Sequence, residues 1–347
     1  MEEKQHKRRV RYSGKYPKKF EEKYKEHNPE KYKDTIAHVI SKGSTPAGMH
    51  ISIMVQEILD FLQIKPGQKG LDCTLGYGGH TRKMLEQLQG QGCIYGLDVD
   101  PIESEKTVKR LRDAGFDEDN FQFRLINFAN IDKVAEEAGK FDFVLADLGV
   151  SSMQIDNPER GFSYKIDGPL DLRLDPAHGQ SAAERLHDIT QEEFVGMMVE
   201  NSDEPYAEEI AQKVFSLMSK GNPMDTTTAL REAIAEALWK VPKDEKDQAI
   251  KKSCARVFQA LRIDVNSEFE VLYSFLEKLP TILNPGARVA ILTFHSGEDR
   301  LVKKSFKELA RAGVYSEVSS DVIRPSAEEC RLNPRSKSTK MRWAVKM

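Results

Sequence analysis

The apolar residues of this chain keep two rhythms. From His50 to Ile64 they recur at helical spacing, at Ile51, Met54, Val55, Ile58, Leu59 and Leu62, until Lys65-Pro66-Gly67 stops the pattern. Strand-like and helical runs then alternate. The pattern predicts strands at Gly70–Leu75, Cys93–Leu97, Phe121–Ile126 and Phe141–Ala146, with helices at Thr81–Leu88 and Glu103–Ala114. Such alternation predicts an α/β fold with a doubly wound, mostly parallel sheet. From Asn157 to Ser253 the pattern shows helices and turns but no convincing strand. Its clearest helix, Thr226–Trp239, has Ala229, Leu230, Ala233, Ile234, Ala237 and Leu238 on one face and Asp225 and Thr226 as caps. The break predicts a helical domain at 157–253 inserted into a sheet domain made of 49–156 and 254–347. A long helix, Arg256–Leu279, leads back, with Phe258, Val265, Leu272 and Leu279 seven apart. Asn284-Pro285-Gly286 turns into a fifth strand, Arg288–Phe294, and Met341–Val345 is expected to close the sheet.

Composition narrows the class. Of 347 residues, 39% are hydrophobic and 31% charged, and no apolar run approaches the roughly 20 residues of a spanning helix, so no membrane partner is expected. The charged stretch Met1–Arg11 has no apolar core behind it, which argues against a secretory signal. Cys73, Cys93, Cys254 and Cys330 form no CxxC pair; they suit neither a zinc site nor a disulfide framework and fit a reducing cytoplasm. No His/Cys/Asp/Glu cluster has metal-ligand spacing, so no catalytic metal is expected. The net charge of −3 is unevenly spread. Residues 1–33 carry twelve Lys/Arg against six Asp/Glu, interleaved with Tyr12, Tyr16, Phe20, Tyr24 and Tyr32. This basic leader ends in a linker, Ser44-Thr45-Pro46-Ala47-Gly48, so residues 1–48 stand apart. The tail from Arg331 has six basic residues and no acidic one. Two basic ends suit contact with a polyanion through its phosphates; a solvated leader and a charged terminal strand would look the same.

The chemistry concentrates at strand ends. Asp72-Cys73-Thr74-Leu75-Gly76-Tyr77-Gly78-Gly79-His80-Thr81 joins the first strand to its helix. Glycines there let backbone approach a ligand, and the helix N-terminus offers free N–H groups to an anion. A dinucleotide loop would read GxGxxG, and the third glycine is missing. The loop can instead hold the amino-acid end of S-adenosylmethionine. Asp98, ending the second strand, is placed to accept two ribose hydroxyls, which both cofactors offer. Asp147, ending the fourth strand, opens the tight polar run Leu148-Gly149-Val150-Ser151-Ser152-Met153-Gln154 where a substrate meets a cofactor; a capped loop is the plainer reading.

Taken together, seven motifs resemble the RsmH (MraW) family of bacterial 16S ribosomal RNA (cytosine-N4)-methyltransferases. They are Gly78-Gly79-His80, Gly96–Pro101, Asp147–Gln154, Asp167–Asp175, Phe258–Ile263, Phe294–Arg300 and Asn333–Ser336, in the family's order from about His50 onward. The resemblance implies a class I S-adenosylmethionine-dependent methyltransferase, with a helical insertion helping to hold RNA. It puts S-adenosylmethionine at Gly78, Gly79 and His80, its ribose on Asp98 and its adenine against Phe128, with Asp147 and Gln154 completing the pocket. The implied partner is 16S ribosomal RNA in the small subunit, with the target cytidine in the decoding centre; the chain would act as a monomer or homodimer. Asp147, Ser151 and Ser152 are candidates for orienting the target amine. Asp171, Arg173, His295, Ser296 and Arg335 are candidate substrate contacts, Asp171 and Arg173 lying in a run where Asp167, Asp171 and Asp175 stand four apart. The chain departs from the family pattern at Tyr77, Thr81, Gly297 and Ile51-Ser52-Ile53, and the basic leader is an addition. A nicotinamide oxidoreductase, a methyltransferase for another RNA, and a non-catalytic RNA-binding factor are the competing readings.

Overall fold

The computed structural model describes residues 52–347; the basic leader, its linker and the start of the first predicted helix lie outside the described residues. Seven strands build one sheet: β1 (Lys69–Asp72), β2 (Cys93–Asp98), β3 (Phe121–Leu125), β4 (Phe141–Asp147), β5 (Leu283–Thr293), β6 (Tyr315–Val318) and β7 (Lys340–Lys346). Their order is β3-β2-β1-β4-β5-β7-β6, and β7 alone runs antiparallel to its neighbours. This is the doubly wound, mostly parallel α/β fold expected of a class I methyltransferase.

Period-2 alternation assigns the faces, because successive side chains on a strand point to opposite sides. Val144, Ala146, Val289 and Ile291 face one layer of helices, α4 (Ile131–Ala138), α11 (Glu268–Lys278) and α12 (Ser296–Arg311). Phe143, Leu145, Ala290 and Leu292 face the other, α1 (Val55–Leu62), α2 (Gly79–Leu88) and α3 (Pro101–Asp113). Both faces are covered, so the central strands are apolar on both sides. Between β4 and β5 the chain forms α5 (Ser152–Asp156), then α6 (Ala182–Asp188), α7 (Gln191–Ser202), α8 (Ala207–Met218), α9 (Thr227–Ala237) and α10 (Lys243–Val265). Helices α6 to α10 close around a third apolar cluster that includes Leu186, Phe194, Ile210, Leu230 and Val257. Thr226 caps α9, accepting from the Ala229 N–H at 3.1 Å. A short helix, α13 (Ala327–Leu332), precedes β7.

Two expectations need correction. The long helix Arg256–Leu279 is two helices, α10 and α11, parted at Asn266 and Ser267. Asn266 caps α10 and spends its side chain on another segment, accepting from Leu174 N at 2.7 Å and donating to Leu172 O at 2.8 Å; Ser267 is left-handed at φ 48. Met341–Val345 does not end the sheet: β7 lies inside it, with the unforeseen β6 at the edge.

Candidate active site

Strand order reverses between β1 and β4, and the carboxyl ends of these neighbouring strands open the crevice in which such sheets bind ligands. Three loops meet there. In the glycine loop, Gly78 is the N-cap of α2 at φ 80, and a Cβ on it would lie 2.7 Å from Thr107 Cγ2. Both facts require glycine. No side chain caps α2, so the N–H groups of its first turn, from Gly79 and His80 onward, are left for an anion. His80 is 8% exposed; its Nε2 is 2.8 Å from Ile53 O and its Nδ1 3.6 Å from Asp147 Oδ2. Thr81 donates to buried Asp72 at 2.5 Å, and Asp72 also accepts from Thr74 N. Burial raises the Asp72 pKa against those bonds.

Asp98 ends β2 and accepts backbone N–H bonds on both oxygens, from Gly76 at 2.8 Å and Asp100 at 2.9 Å. Burial pushes its pKa up to about 6, against the pull of those N–H groups. Phe128 follows β3 at the start of a 3₁₀ turn capped by Asn127, its ring edge-on to Phe275 at 5.3 Å.

Asp147 ends β4, its N–H held by Thr74 Oγ1 at 2.7 Å. Its side chain is 23% exposed, yet Oδ1 is buried and accepts no hydrogen bond among the described residues. Burial lifts this carboxyl to about 6; His80 lowers it, while Asp72 and Glu298 raise it. A buried acceptor without a donor costs about 1–3 kcal/mol, so a donor reaching this oxygen would be favoured.

Of the remaining candidates, Ser151, Gln154, Asp171, Arg173, His295 and Arg335 are engaged within the fold. Ser151 and Gln154 form the capping box of α5: Ser151 Oγ accepts from Gln154 N at 3.2 Å, and Gln154 Oε1 accepts from Ser151 N at 2.9 Å. Gln154 Nε2 donates to Asp100 at 2.9 Å, so its amide is spent on the turn that follows β2. Ser152 is the first residue of α5. Arg173 binds Asp171 through two nitrogens, at 2.8 and 2.7 Å, and reaches Gly179 O. His295 caps α12 in a box with Glu298, and Ser296 is the first residue of that helix. Arg335 pairs with Asp156 at 2.8 Å, tying the basic tail to the end of α5. Lys340 and Arg342 are both drawn to Asp299, at 3.0 and 2.6 Å.

Folding also assembles what spacing in the sequence did not reveal. Ligand-type atoms of Glu268, His295 and Glu298 all lie within 4.8 Å of one another, but both oxygens of Glu268 are already held by Arg262, at 2.7 and 2.9 Å. The Gly297 departure has a steric reason: a Cβ there would come 2.6 Å from the Phe269 ring, which fills the space. Asp100 and Arg160, a buried ion pair at 2.7 Å, received no role in the sequence reading. The pair Asp100-Pro101 carries an N-cap signature by which the first could have been found; nothing local marks the second.

The model of the MraW methylase family matches residues 47–347. The chain belongs to the MraW methylase family. Curated relatives agree. Ribosomal RNA small subunit methyltransferase H 1 of Agathobacter rectalis is 69% identical over 99% of this chain and 99% of its own. The protein of that name from Lachnoclostridium phytofermentans is 69% identical over 98% and 93%. Ribosomal RNA small subunit methyltransferase H of Thioalkalivibrio sulfidiphilus is 36% identical over 87% of this chain and 98% of its own. The 69% relative that spans 99% of this chain therefore aligns with most of the leader as well. Within this family frame the glycine loop, Asp98, Phe128 and Asp147 all sit at one edge of one sheet. No helix among the described residues is long and apolar enough to cross a membrane.

Proposed function

We propose that this protein transfers the methyl group of S-adenosylmethionine to the N4 amine of a cytidine in 16S ribosomal RNA of the small subunit. The observation that carries the reading is the unpaired, buried Oδ1 of Asp147, whose carboxylate lies 3.6 Å from the His80 ring at the open N-terminus of α2. An acceptor for N–H on one side and donors for a carboxylate on the other fit the ammonium and carboxylate of an amino-acid cofactor. The relatives' shared name supplies the substrate class.

When bound, S-adenosylmethionine supplies an already activated methyl, so the chain's work is to bind and align. Asp98 accepts the ribose hydroxyls with lone pairs left over from its two backbone bonds. Phe128 lies against the adenine, and Gln154 holds the wall behind it. The exocyclic amine of cytosine is a weak nucleophile because its lone pair is delocalised into the ring. An acceptor on its N–H turns that lone pair outward, and Asp147 is the residue placed to provide it. The target base must leave its stack to reach this depth. All of these residues come from one chain, so the reading holds for a monomer or a homodimer. It places the protein with ribosomal subunits in the cytoplasm.

The test uses small subunits from a strain lacking the gene. They are incubated with the protein and methyl-labelled S-adenosylmethionine, and the labelled nucleoside is identified by mass spectrometry. Label in N4-methylcytidine, or its 2′-O-methylated form, supports the reading. Label in another nucleoside keeps the cofactor and removes the cytosine-N4 assignment. Absence of label in any RNA removes the reading.

A further inference from the structure

We propose that Arg160 is a positioning residue that ties the ribose-binding turn to the loop opening the helical insertion, so that cofactor and RNA strengthen each other's binding. The proposal rests on the methyltransferase reading above and adds a linkage between its two ligands.

Arg160 closes a 3₁₀ turn, Pro158–Arg160, and is 7% exposed. Its guanidinium faces two segments at once. Nη1 donates to Asp100 Oδ2 at 2.7 Å; Nη2 donates to Arg173 O at 3.1 Å and Leu174 O at 2.8 Å. On the cofactor side, Asp100 is fully buried, and its own N–H donates to Asp98 Oδ1. Asp100 also caps α3, accepting from Ile102 and Glu103, and takes the Gln154 amide. Burial alone would raise the Asp100 pKa; the bonds from Arg160 and Gln154 hold it below the usual range. On the insertion side, the carbonyl of Arg160 accepts from Leu172 N at 3.2 Å, and Leu172 is buried at φ 65. A left-handed leucine persists only where its surroundings overdetermine it. Asn266 completes the clamp by binding Leu172 O and Leu174 N. The adjoining backbone leaves no slack: a Cβ on Gly161 would lie 2.2 Å from Pro169 O, and one on Gly168 2.1 Å from Pro158 O.

One planar cation therefore fixes the acid turn and the 171–175 loop in a single geometry. Only arginine has donors in a fork that spans a carboxylate and two carbonyls; lysine offers a point charge. A ribose that further stabilises the Asp98–Asp100 turn also stabilises, through Arg160, the 171–175 loop in the geometry offered to RNA, and the reverse follows by linkage. Contiguous contacts do not by themselves measure coupling, so the experiment reads it from paired affinities.

The affinity of wild type, R160M and R160K for S-adenosylhomocysteine is measured by calorimetry, with and without saturating unmethylated small subunits. Thermal unfolding and methyl transfer are recorded on the same samples. Wild type is expected to bind the nucleoside about fivefold or more tightly when subunits are present. R160M is expected to bind it about tenfold more weakly alone, with the subunit effect lost. R160K keeps the Asp100 charge pair without the carbonyl bonds, so it recovers most of the affinity and little of the coupling. A wild-type ratio of one overturns the proposal. So does an R160K protein that folds and keeps the wild-type ratio, since a purely structural arginine would move only the unfolding temperature. Failure of wild type to methylate any RNA removes the underlying reading and the proposal with it. Normal wild-type methylation with unchanged coupling in the variants removes the proposal alone.

Discussion

The backbone N–H of Gly76 donates to Oδ2 of Asp98 across 2.8 Å, so the acid that ends β2 itself holds the glycine loop in place. That economy has an electrostatic consequence. Burial raises the Asp98 pKa to about 6, and Asp147 titrates near the same pH for the same leading reason. In the unliganded fold these groups retain protons that the unfolded chain has released above about 3.8. Their contribution to stability therefore falls as pH rises from about 3.8 to 6.

Cofactor binding should show the opposite trend, because ribose hydroxyls and an ammonium both favour carboxylates. We predict that affinity for S-adenosylmethionine falls as pH drops below about 6, by more than the tenfold per unit expected of a single group. Calorimetry between pH 5 and 8 checks this. D98N should bind much more weakly throughout and show a limb of about half the slope. A wild-type affinity that does not change across pH 6 would exclude the role given to Asp98.

The two duties open to Asp147 separate kinetically. An acceptor for the cofactor's ammonium acts mainly on the KM for S-adenosylmethionine, whereas one that turns the cytosine amine acts on kcat. We predict that D147N lowers kcat by about 10²–10⁴ in methyl transfer to small subunits, the range of a positioned proton acceptor. A variant with raised KM and unchanged kcat would assign the residue to the cofactor alone.

Gly78 combines a left-handed φ of 80 with a neighbour, Thr107 Cγ2, that a Cβ would approach to 2.7 Å. G78A should destabilise the protein by about 1–3 kcal/mol through strain and overpacking. It should also weaken cofactor binding at least tenfold, since the loop must shift. Urea unfolding reads the first effect and calorimetry the second. The double variant G78A/T107S, which removes the clashing methyl, should recover part of both.

Asp299 bears on the basic tail. It accepts from both Lys340 and Arg342, and Arg342 is 5% exposed. Burial opposes ionisation of Asp299, yet the bonds from Arg342 and Lys340 outweigh it and hold the pKa below the usual range. The stability it contributes is therefore present above about pH 3.8 and lost as pH falls through the lower folded value. D299N leaves a buried guanidinium uncompensated and should cost about 2–4 kcal/mol in urea unfolding at pH 7, with a smaller penalty near pH 3. An unchanged midpoint at pH 7 would mean that these cations are free to serve RNA.

Much of this protein could be read from residues close together in the chain. Apolar positions two apart along β4 and β5, or three and four apart along α9, encode their partners within one element, and such periods survive any tertiary arrangement. The positions of the glycine loop and Asp98 were equally legible, because both follow from where a strand ends. The edge strand β6 was not: of its four residues only Tyr315 is buried, too few to set a period. The break between α10 and α11 was hidden because Asn266, besides capping its own helix at Arg262 O, answers to a loop some 90 residues earlier.

Chain-distant charges were hardest of all. In sequence, Asp100 and Arg160 are two unremarkable charged residues separated by 60 positions; folding buries them against each other at 2.7 Å. The same holds for Glu268 beside His295, and for Gly297, whose missing side chain makes sense only beside Phe269. The sequence by itself determined the layers, the order of the strands' chemistry and the family. Tertiary structure decided which polar groups are spent on the fold and which are buried short of a hydrogen bond, Asp147 Oδ1 among them, because burial and pairing are properties of proximity in space that no local pattern carries.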